Sequence, residues 1–373
     1  MTQEVSIVQE LLPQYRVPFF EGLRENLAAD DIRLRLLHGS SGPGTKGDER
    51  ALPWAEHLRA RVIRLPRGRS VLWQSAYRAT RSSDLVVIEH AGRHLSIWPL
   101  LSGAATGRRP RMAFWGHGTD VRTDRRDTVS EAVKQWASRR AHWWFAYTEG
   151  SADRVAAHRF PRDRITVVNN TVEVHPLDDR PQHDPKTCVY VGGLFDLKRI
   201  PFLLEAGTRL AGLVPGFRLV VLGGGPDSGR VEEAARTAPW LDFRGPTFDD
   251  EKALALASSS LTLMPGVVGL AIVDTFAYGC PIVTTDHPFH SPEIEYLRDG
   301  VNGVMLPRDT TPAQYADAVA GLLQDPGRLG RLRDAGMQSA SDLTMAHMVQ
   351  RFADGIRLAL AAPTRTRRSS SGY

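Results

Sequence analysis

The chain has 373 residues, 42% of them hydrophobic, which rules out wholesale disorder and suits two domains at roughly 100–200 residues each. Its formal net charge is +5, mostly an arginine excess in the N-terminal half. That balance fits anionic partners such as nucleotides, phosphorylated acceptors, nucleic acid or a membrane surface, unless it only solvates a face. The two cysteines, Cys188 and Cys280, lie in apolar runs, which argues against a disulfide framework and for a reducing cytosol. No charged n-region opens the chain, so no signal peptide is expected, and no run reaches the ~18 apolar residues of a membrane span.

Short apolar runs alternate with amphipathic segments along the chain. VSIVQ reads as a first strand and RVPFFEGLRENLA as a helix with Val17, Phe20, Leu23 and Leu27 on one face. IRLRLLHG, RVIRLP, DLVVIEH, RMAFWGHG, HWWFAYT and ITVVNN follow as strands, with helices expected at VLWQSAYRATR and SEAVKQWASRRA. The Pro- and Asp-rich stretch EVHPLDDRPQHDPK reads as a linker. The alternation then restarts with strands at TCVYVGGL, FRLVVLGGGP, LDFRGP, LTLMPG, PIVTTD and NGVML. The end is helical, followed by a polar, basic tail expected to be disordered.

Strands separated by helices imply right-handed crossovers and parallel sheets covered on both faces. The expected division is residues 1–174, a linker 175–186, a second doubly wound domain 187–343, a helix 344–362 and a tail 363–373. Ligands of open α/β sheets bind at the carboxyl ends of strands, so candidate chemistry belongs in the loops there.

Four such loops stand out. PGVVGLAIVDTF, from Pro265, passes from a strand through glycines into a helix start near Gly269 and Leu270. Free amides and the dipole there favour a diphosphate, and Asp274 can accept hydrogen bonds from sugar hydroxyls; an ordinary helix start with a solvated aspartate is the alternative. YVGGLFDLKR places Lys198 and Arg199 after a strand, where they meet phosphate or simply face solvent. VLGGGPDSG lacks a clean GxGxxG, because Ser228 takes the third glycine's place, and is weak as a dinucleotide fingerprint. FWGHGTD sets His117 between two glycines, where an imidazole can move a proton near neutral pH. No HExxH, paired CxxC, P-loop or strand-end DxD appears, so no metal or other cofactor is expected.

Taken together and in order, these segments resemble the retaining family 4 glycosyltransferases of GT-B fold, in bacterial polysaccharide or glycan synthesis. The likeness runs through PQYRVPFFEGL, FWGHG, YTEGSADRV and VVNNTVEV in the first half. In the second it runs through YVGGLFDLKRIPFLLEA, LVVLGGGP, LDFRGP, GLAIVDTFAYGCPIVTTD and EIEYLRDGVNGVML. The resemblance implies two doubly wound parallel-sheet domains facing across a cleft, with the C-terminal helix a candidate to cross back to the first. It implies that Lys198, with Arg199, binds the donor diphosphate and that Val268, Gly269 and Leu270 meet phosphate and sugar. Asp274 then stands for the acid that holds the ribose, His117 for the histidine at the reaction centre, and Arg16 for a first-loop residue near the acceptor. Three departures bear on the donor: Gly266 replaces the family's first glutamate, Asp274 is one methylene shorter than the second, and Gly193 replaces an arginine.

The expected reaction moves a hexose from a nucleoside diphosphate sugar to an acceptor hydroxyl of a glycan, a lipid-linked carrier or a small molecule. Retention of configuration and independence of metal are expected, in the cytosol and in peripheral contact with the inner membrane. That contact is one reading of the arginine-rich, apolar-interleaved segment from Leu58 to Arg81; the other is a solvated helix face with its apolar side, Val71, Leu72 and Ala76, turned inward to the core. A non-catalytic partner subunit and a nucleotide-sugar epimerase of the same fold are the alternatives. Net charge alone favours nucleic acid, with no reader motif beside it.

Overall fold

The computed structural model describes residues 2–39, 52–64, 70–90, 98–101, 110–118, 135–177, 179 and 181–364. They form two compact units, the first made of the chain up to Asn170 together with the C-terminal segment from Met345, the second of Thr171–Thr344.

Unit 1 is built on a seven-stranded sheet with the order β3-β2-β1-β6-β7-β8-β9. Its strands are β1 (Gln3–Gln9), β2 (Ile32–His38), β3 (Glu56–His57), β6 (Leu85–Glu89), β7 (Arg111–Gly116), β8 (Trp143–Ala146) and β9 (Ile165–Val167). Every pairing among them is parallel. Side chains alternate between faces, so Val5, Ile7, Leu85 and Val87 enter one core while Val8, Val86 and Ile88 enter another. Burial on both faces explains why these strands read as unbroken apolar runs.

The segment expected to be helical at VLWQSAYRATR is different. Ser70–Gln74 is a strand, β5, pairing antiparallel with β4 (Ala60–Arg64), and only Ala76–Thr80 is helical. The aromatic side chain of Trp73 favours the pleated backbone, and the chain pairs with its neighbour in sequence at low entropic cost. The helix expected at SEAVKQWASRRA is described from residue 135 onward and is helical over 135–138, whereas most of the basic tail lies outside the described residues.

Unit 2 has a six-stranded sheet ordered β12-β11-β10-β13-β14-β15. These are Asp184–Val191 (β10), Arg218–Leu222 (β11), Leu241–Gly245 (β12), Ser259–Met264 (β13), Ile282–Thr285 (β14) and Gly303–Leu306 (β15), again all parallel. The order reverses at β10 and β13, so their carboxyl ends form the topological switch point. Cys188 and Cys280 are free and buried, one in each of the unit's two cores.

The stretch expected to be a linker is largely part of unit 2. Val172, Val174 and Leu177 pack against its cores, the Tyr278 hydroxyl donates to the His175 carbonyl at 2.9 Å, and β10 already begins at Asp184. Proline and aspartate density marks the absence of regular structure here but says nothing about burial of the apolar residues between them.

The C-terminal helix, Met345–Ala361, belongs to unit 1. It carries Met348, Phe352, Ile356 and Ala359 into the core beside helix Val17–Ala28. Phe352 stacks on Phe145 with centroids 4.2 Å apart. Arg111 donates to the carbonyls of Ala359 and Leu360, and His142 Nε2 lies 2.8 Å from the Ala359 carbonyl oxygen, so the helix's last carbonyls are satisfied from the sheet. Phe352→Ala is expected to cost about 3–5 kcal/mol of unit 1 stability, because the ring is fully buried. A urea midpoint unchanged by the substitution would show that the helix does not support this core.

Candidate functional site

In unit 2 the sequence-derived candidates collect at the ends of β10 and β13. After β10 the chain turns through Gly192 and Gly193, and the buried Tyr190 hydroxyl donates to the Gly193 carbonyl at 2.7 Å. The glycine-rich turn after β11 packs directly on this one. A Cβ on Gly223 would overlap the Gly192 carbonyl oxygen and one on Gly225 the Leu194 carbonyl, while the Leu194 amide donates to the Gly224 carbonyl at 2.9 Å. GGGP is therefore a close backbone-on-backbone contact, which only glycine permits.

Lys198 ends a short 3₁₀ turn, Asp196–Lys198, and is 91% buried, not a solvated lysine. Its ammonium donates to the Val267 carbonyl at 2.5 Å, and the Val267 amide donates to the Leu197 carbonyl at 2.9 Å. Gly266 makes this approach possible. A Cβ there would overlap the Leu197 carbonyl oxygen and lie 2.5 Å from the Lys198 carbonyl carbon. Arg199 follows in the left-handed region at φ 56°, a strained conformation for a residue with a side chain. Its guanidinium reaches Thr285 Oγ1 at 3.3 Å and lies over the Phe202 ring at 4.1 Å.

The loop 265–270 is held from several sides. Thr285 Oγ1 donates to the Pro265 carbonyl at 2.7 Å, and Ser291 N–H to the Val268 carbonyl at 3.0 Å. His290, buried, accepts from the Val268 amide at Nδ1 (2.9 Å) and donates from Nε2 to the Thr285 carbonyl (2.8 Å). Burial drives its pKa down to about 4, against the upward pull of the Thr285 carbonyl, so the ring is neutral at pH 7. Sequence reading missed His290. The signal was present in HPFHSP, which leaves a strand carboxyl end as the other candidate loops do.

The helix after this loop spans Ala271–Ala277 with Leu270 at its N-cap, one to two residues later than expected and only two turns long. Asp274 is not a solvated aspartate. It is 94% buried, and Lys252 Nζ donates to both carboxylate oxygens at 3.0 Å. Burial pushes its pKa up, and Lys252 opposes that shift. The lysine comes from helix Asp249–Ser258, another residue the sequence did not flag.

In unit 1, Arg16 and His117 meet around one ring. His117 follows β7 and lies edge-on to Tyr147 at 4.8 Å. Gly118, at φ 81°, lets this turn sit against helix Glu149–Ala157, since a Cβ would overlap Val155. Arg16, 96% buried, donates to Asn170 Oδ1 at 2.6 Å. Its guanidinium stacks over Trp115 at 4.9 Å and faces Tyr147 at 5.9 Å. Arg16 and His117 thus share Tyr147 within unit 1, while Lys198, Arg199, Gly266, Val268 and Gly269 converge within unit 2. Among the described residues no three His, Cys, Asp or Glu side chains gather as a metal site would require, and no helix is long and apolar enough to cross a membrane.

Residues 185–325 match the family profile of the group 1 glycosyl transferases. A phosphatidyl-myo-inositol mannosyltransferase of Mycolicibacterium smegmatis is 26% identical over 155 residues, 40% of this chain and 39% of that protein. The chain thus spans about two fifths of the length of the curated relatives it matches. Sucrose-phosphate synthase from Thermosynechococcus elongatus superposes with a TM-score of 0.69 at 16% identity, covering 97% of this chain and all of that one (100%). Anabaena HepE in complex with UDP superposes with a TM-score of 0.66 at 14% identity, covering 95% and 100%.

The packing at Gly266 generates a prediction. Gly266→Glu, which restores the acid of the resembling family, is expected to force the 197–198 backbone away and to cost about 1–3 kcal/mol, the range of overpacking. A melting temperature equal to that of the unsubstituted protein would show that the loop relaxes freely around the new side chain.

Proposed function

Taking as premise a chain of GT-B fold and of family 4 glycosyltransferase type, we propose that it transfers a hexose from a nucleoside diphosphate sugar to an acceptor hydroxyl, with retention and without a metal. The observation that carries this reading is the convergence of Lys198 and Arg199 with the 265–270 loop at the switch point of unit 2. Two cations there suit a diphosphate whose charge grows as the glycosidic bond breaks. That Anabaena HepE was solved with UDP supports a nucleotide at this fold's donor side. Asp274, fixed by Lys252, presents the carboxylate for ribose hydroxyls. His117 and Arg16 serve the transferred sugar and the acceptor, with Arg16 set by its aromatic surroundings. The acceptor class that suits the resemblance is a glycan or lipid-linked carrier.

The test is calorimetric titration with UDP, GDP and ADP and their sugars. Binding of at least one is expected, and Lys198→Ala weakens it by about 1–3 kcal/mol, the range for a charge-assisted contact. His117→Ala is expected to keep donor affinity and to lower transfer ~10²-fold, with transfer in the unsubstituted protein persisting in EDTA. Absence of binding for every nucleotide would reject the donor reading. Sugar interconversion without acceptor would shift the assignment to an epimerase.

A second element of the reading concerns location, at the cytosolic face of the membrane. The β4–β5 hairpin exposes Val62, Ile63 and Trp73, and Arg59, Arg78 and Arg81 beside it are exposed too. Apolar side chains among arginines favour an anionic bilayer surface at about 1 kcal/mol per basic residue. Co-sedimentation with anionic vesicles at low salt, reversed by high salt, is expected. Equal pelleting with neutral vesicles, or none, would count against membrane contact.

A further inference from the structure

We propose that His290 is a positioning residue of the donor site, a neutral latch that fixes the backbone of Val268 and, through it, the carbonyl that Lys198 binds. The inference rests on reading unit 2 as the donor side.

Three facts lead to it. First, both ring nitrogens of His290 are spent on main-chain groups: Nδ1 accepts from the Val268 amide at 2.9 Å and Nε2 donates to the Thr285 carbonyl at 2.8 Å. The imidazole therefore bridges the end of β14 to the loop that leaves β13. Second, the next residue completes a clamp, because the Ser291 amide donates to the Val268 carbonyl at 3.0 Å. Both polar groups of the Val268 backbone are held by consecutive residues of a separate loop. Third, the adjoining Val267 carbonyl takes the Lys198 ammonium at 2.5 Å. Fixing Val268 orients that carbonyl and so sets where the ammonium sits.

The two hydrogen bonds require one tautomer, with the proton on Nε2 and the lone pair on Nδ1. A second proton at Nδ1 would point an N–H at the Val268 N–H and break the latch. The surroundings oppose that proton. Burial is the largest cause, His287 and Lys198 add to it, and Asp286 and the Thr285 carbonyl act the other way. Burial first, then Arg199 and Arg308, in turn disfavour protonation of His287, with Asp286 acting the other way. A histidine whose folded pKa is depressed contributes stability fully present above the unfolded value near 6.5 and lost as pH falls toward about 4. The latch is thus closed at neutral pH and opens on acidification.

The experiment compares the full chain with His290→Ala and His290→Asn, whose side-chain amide oxygen can accept from Val268 in place of Nδ1. Amide hydrogen exchange over residues 265–270 at pH 7 is expected to quicken at least ten-fold in His290→Ala and to return most of the way in His290→Asn. Calorimetric affinity for UDP, with GDP and ADP as further probes, is expected to fall at least ten-fold in His290→Ala and less in His290→Asn. The advantage in melting temperature of the unsubstituted protein over His290→Asn should shrink between pH 7 and pH 4.5, the window in which the unfolded imidazole takes up its proton and the folded one does not. Exchange unchanged in His290→Ala overturns the latch. Faster exchange with unchanged nucleotide affinity overturns its role in the site. Faster exchange in a protein that binds none of the nucleotides upholds the latch and rejects the donor reading instead. Should His290→Ala fail to fold, His290→Asn and the pH series carry the same comparison.

Discussion

The site in unit 2 depends on one close approach, the contact of the Gly266 backbone with the Leu197–Lys198 peptide. No side chain fits between them, so the residue at 266 is fixed by sterics before any chemistry is considered. Once that approach is made, the Val267 amide and carbonyl are within reach of Leu197 and Lys198, and the two loops become one hydrogen-bonded body. A glutamate here would add a carboxylate for a ligand but would break this contact. A glycine at 266 thus goes with an ordered pair of loops, in which backbone groups do the holding and His290 supplies the third point of support.

Charge follows the same logic. Lys198 is a buried cation and Arg199 a half-buried one, and each is offset by nearby dipoles or a π-face. Asp274 faces the opposite problem and is offset by Lys252. Because such a pair loses more in desolvation than an exposed pair does, its value lies in holding a defined geometry. In unit 1 the Arg16 guanidinium has the same character, stacked on Trp115 and bonded to Asn170.

Most of the fold was legible from period alone. Strands buried on both faces are unbroken apolar runs, and β1, β7, β10 and β13 lie where those runs do. The misreadings have local causes. Residues 71–81 have apolar spacing compatible with either a helix or a strand, and pairing with β4 decided for the strand up to Gln74, leaving only Ala76–Thr80 helical. The stretch from Glu173 to Lys186 looked like a linker because its prolines and aspartates hid Val174 and Leu177, which pack against the cores of unit 2. Lys198 and Asp274 in unit 2 and His117 in unit 1 were visible as candidates because each follows a strand or lies in the first turn of a helix. Lys252 and His290 were not, since their importance comes from partners 22 residues away in sequence.

The sequence by itself determined the two doubly wound sheets, the loops at their carboxyl ends and the glycine turns, because periodicity and turn chemistry are local. Only the tertiary structure decided why Gly266 is a glycine, that Asp274 is paired and not solvated, and that a neutral imidazole sets the loop beside Lys198. Those facts depend on which strand ends the crossovers bring together, and on how little space remains between backbones once they meet.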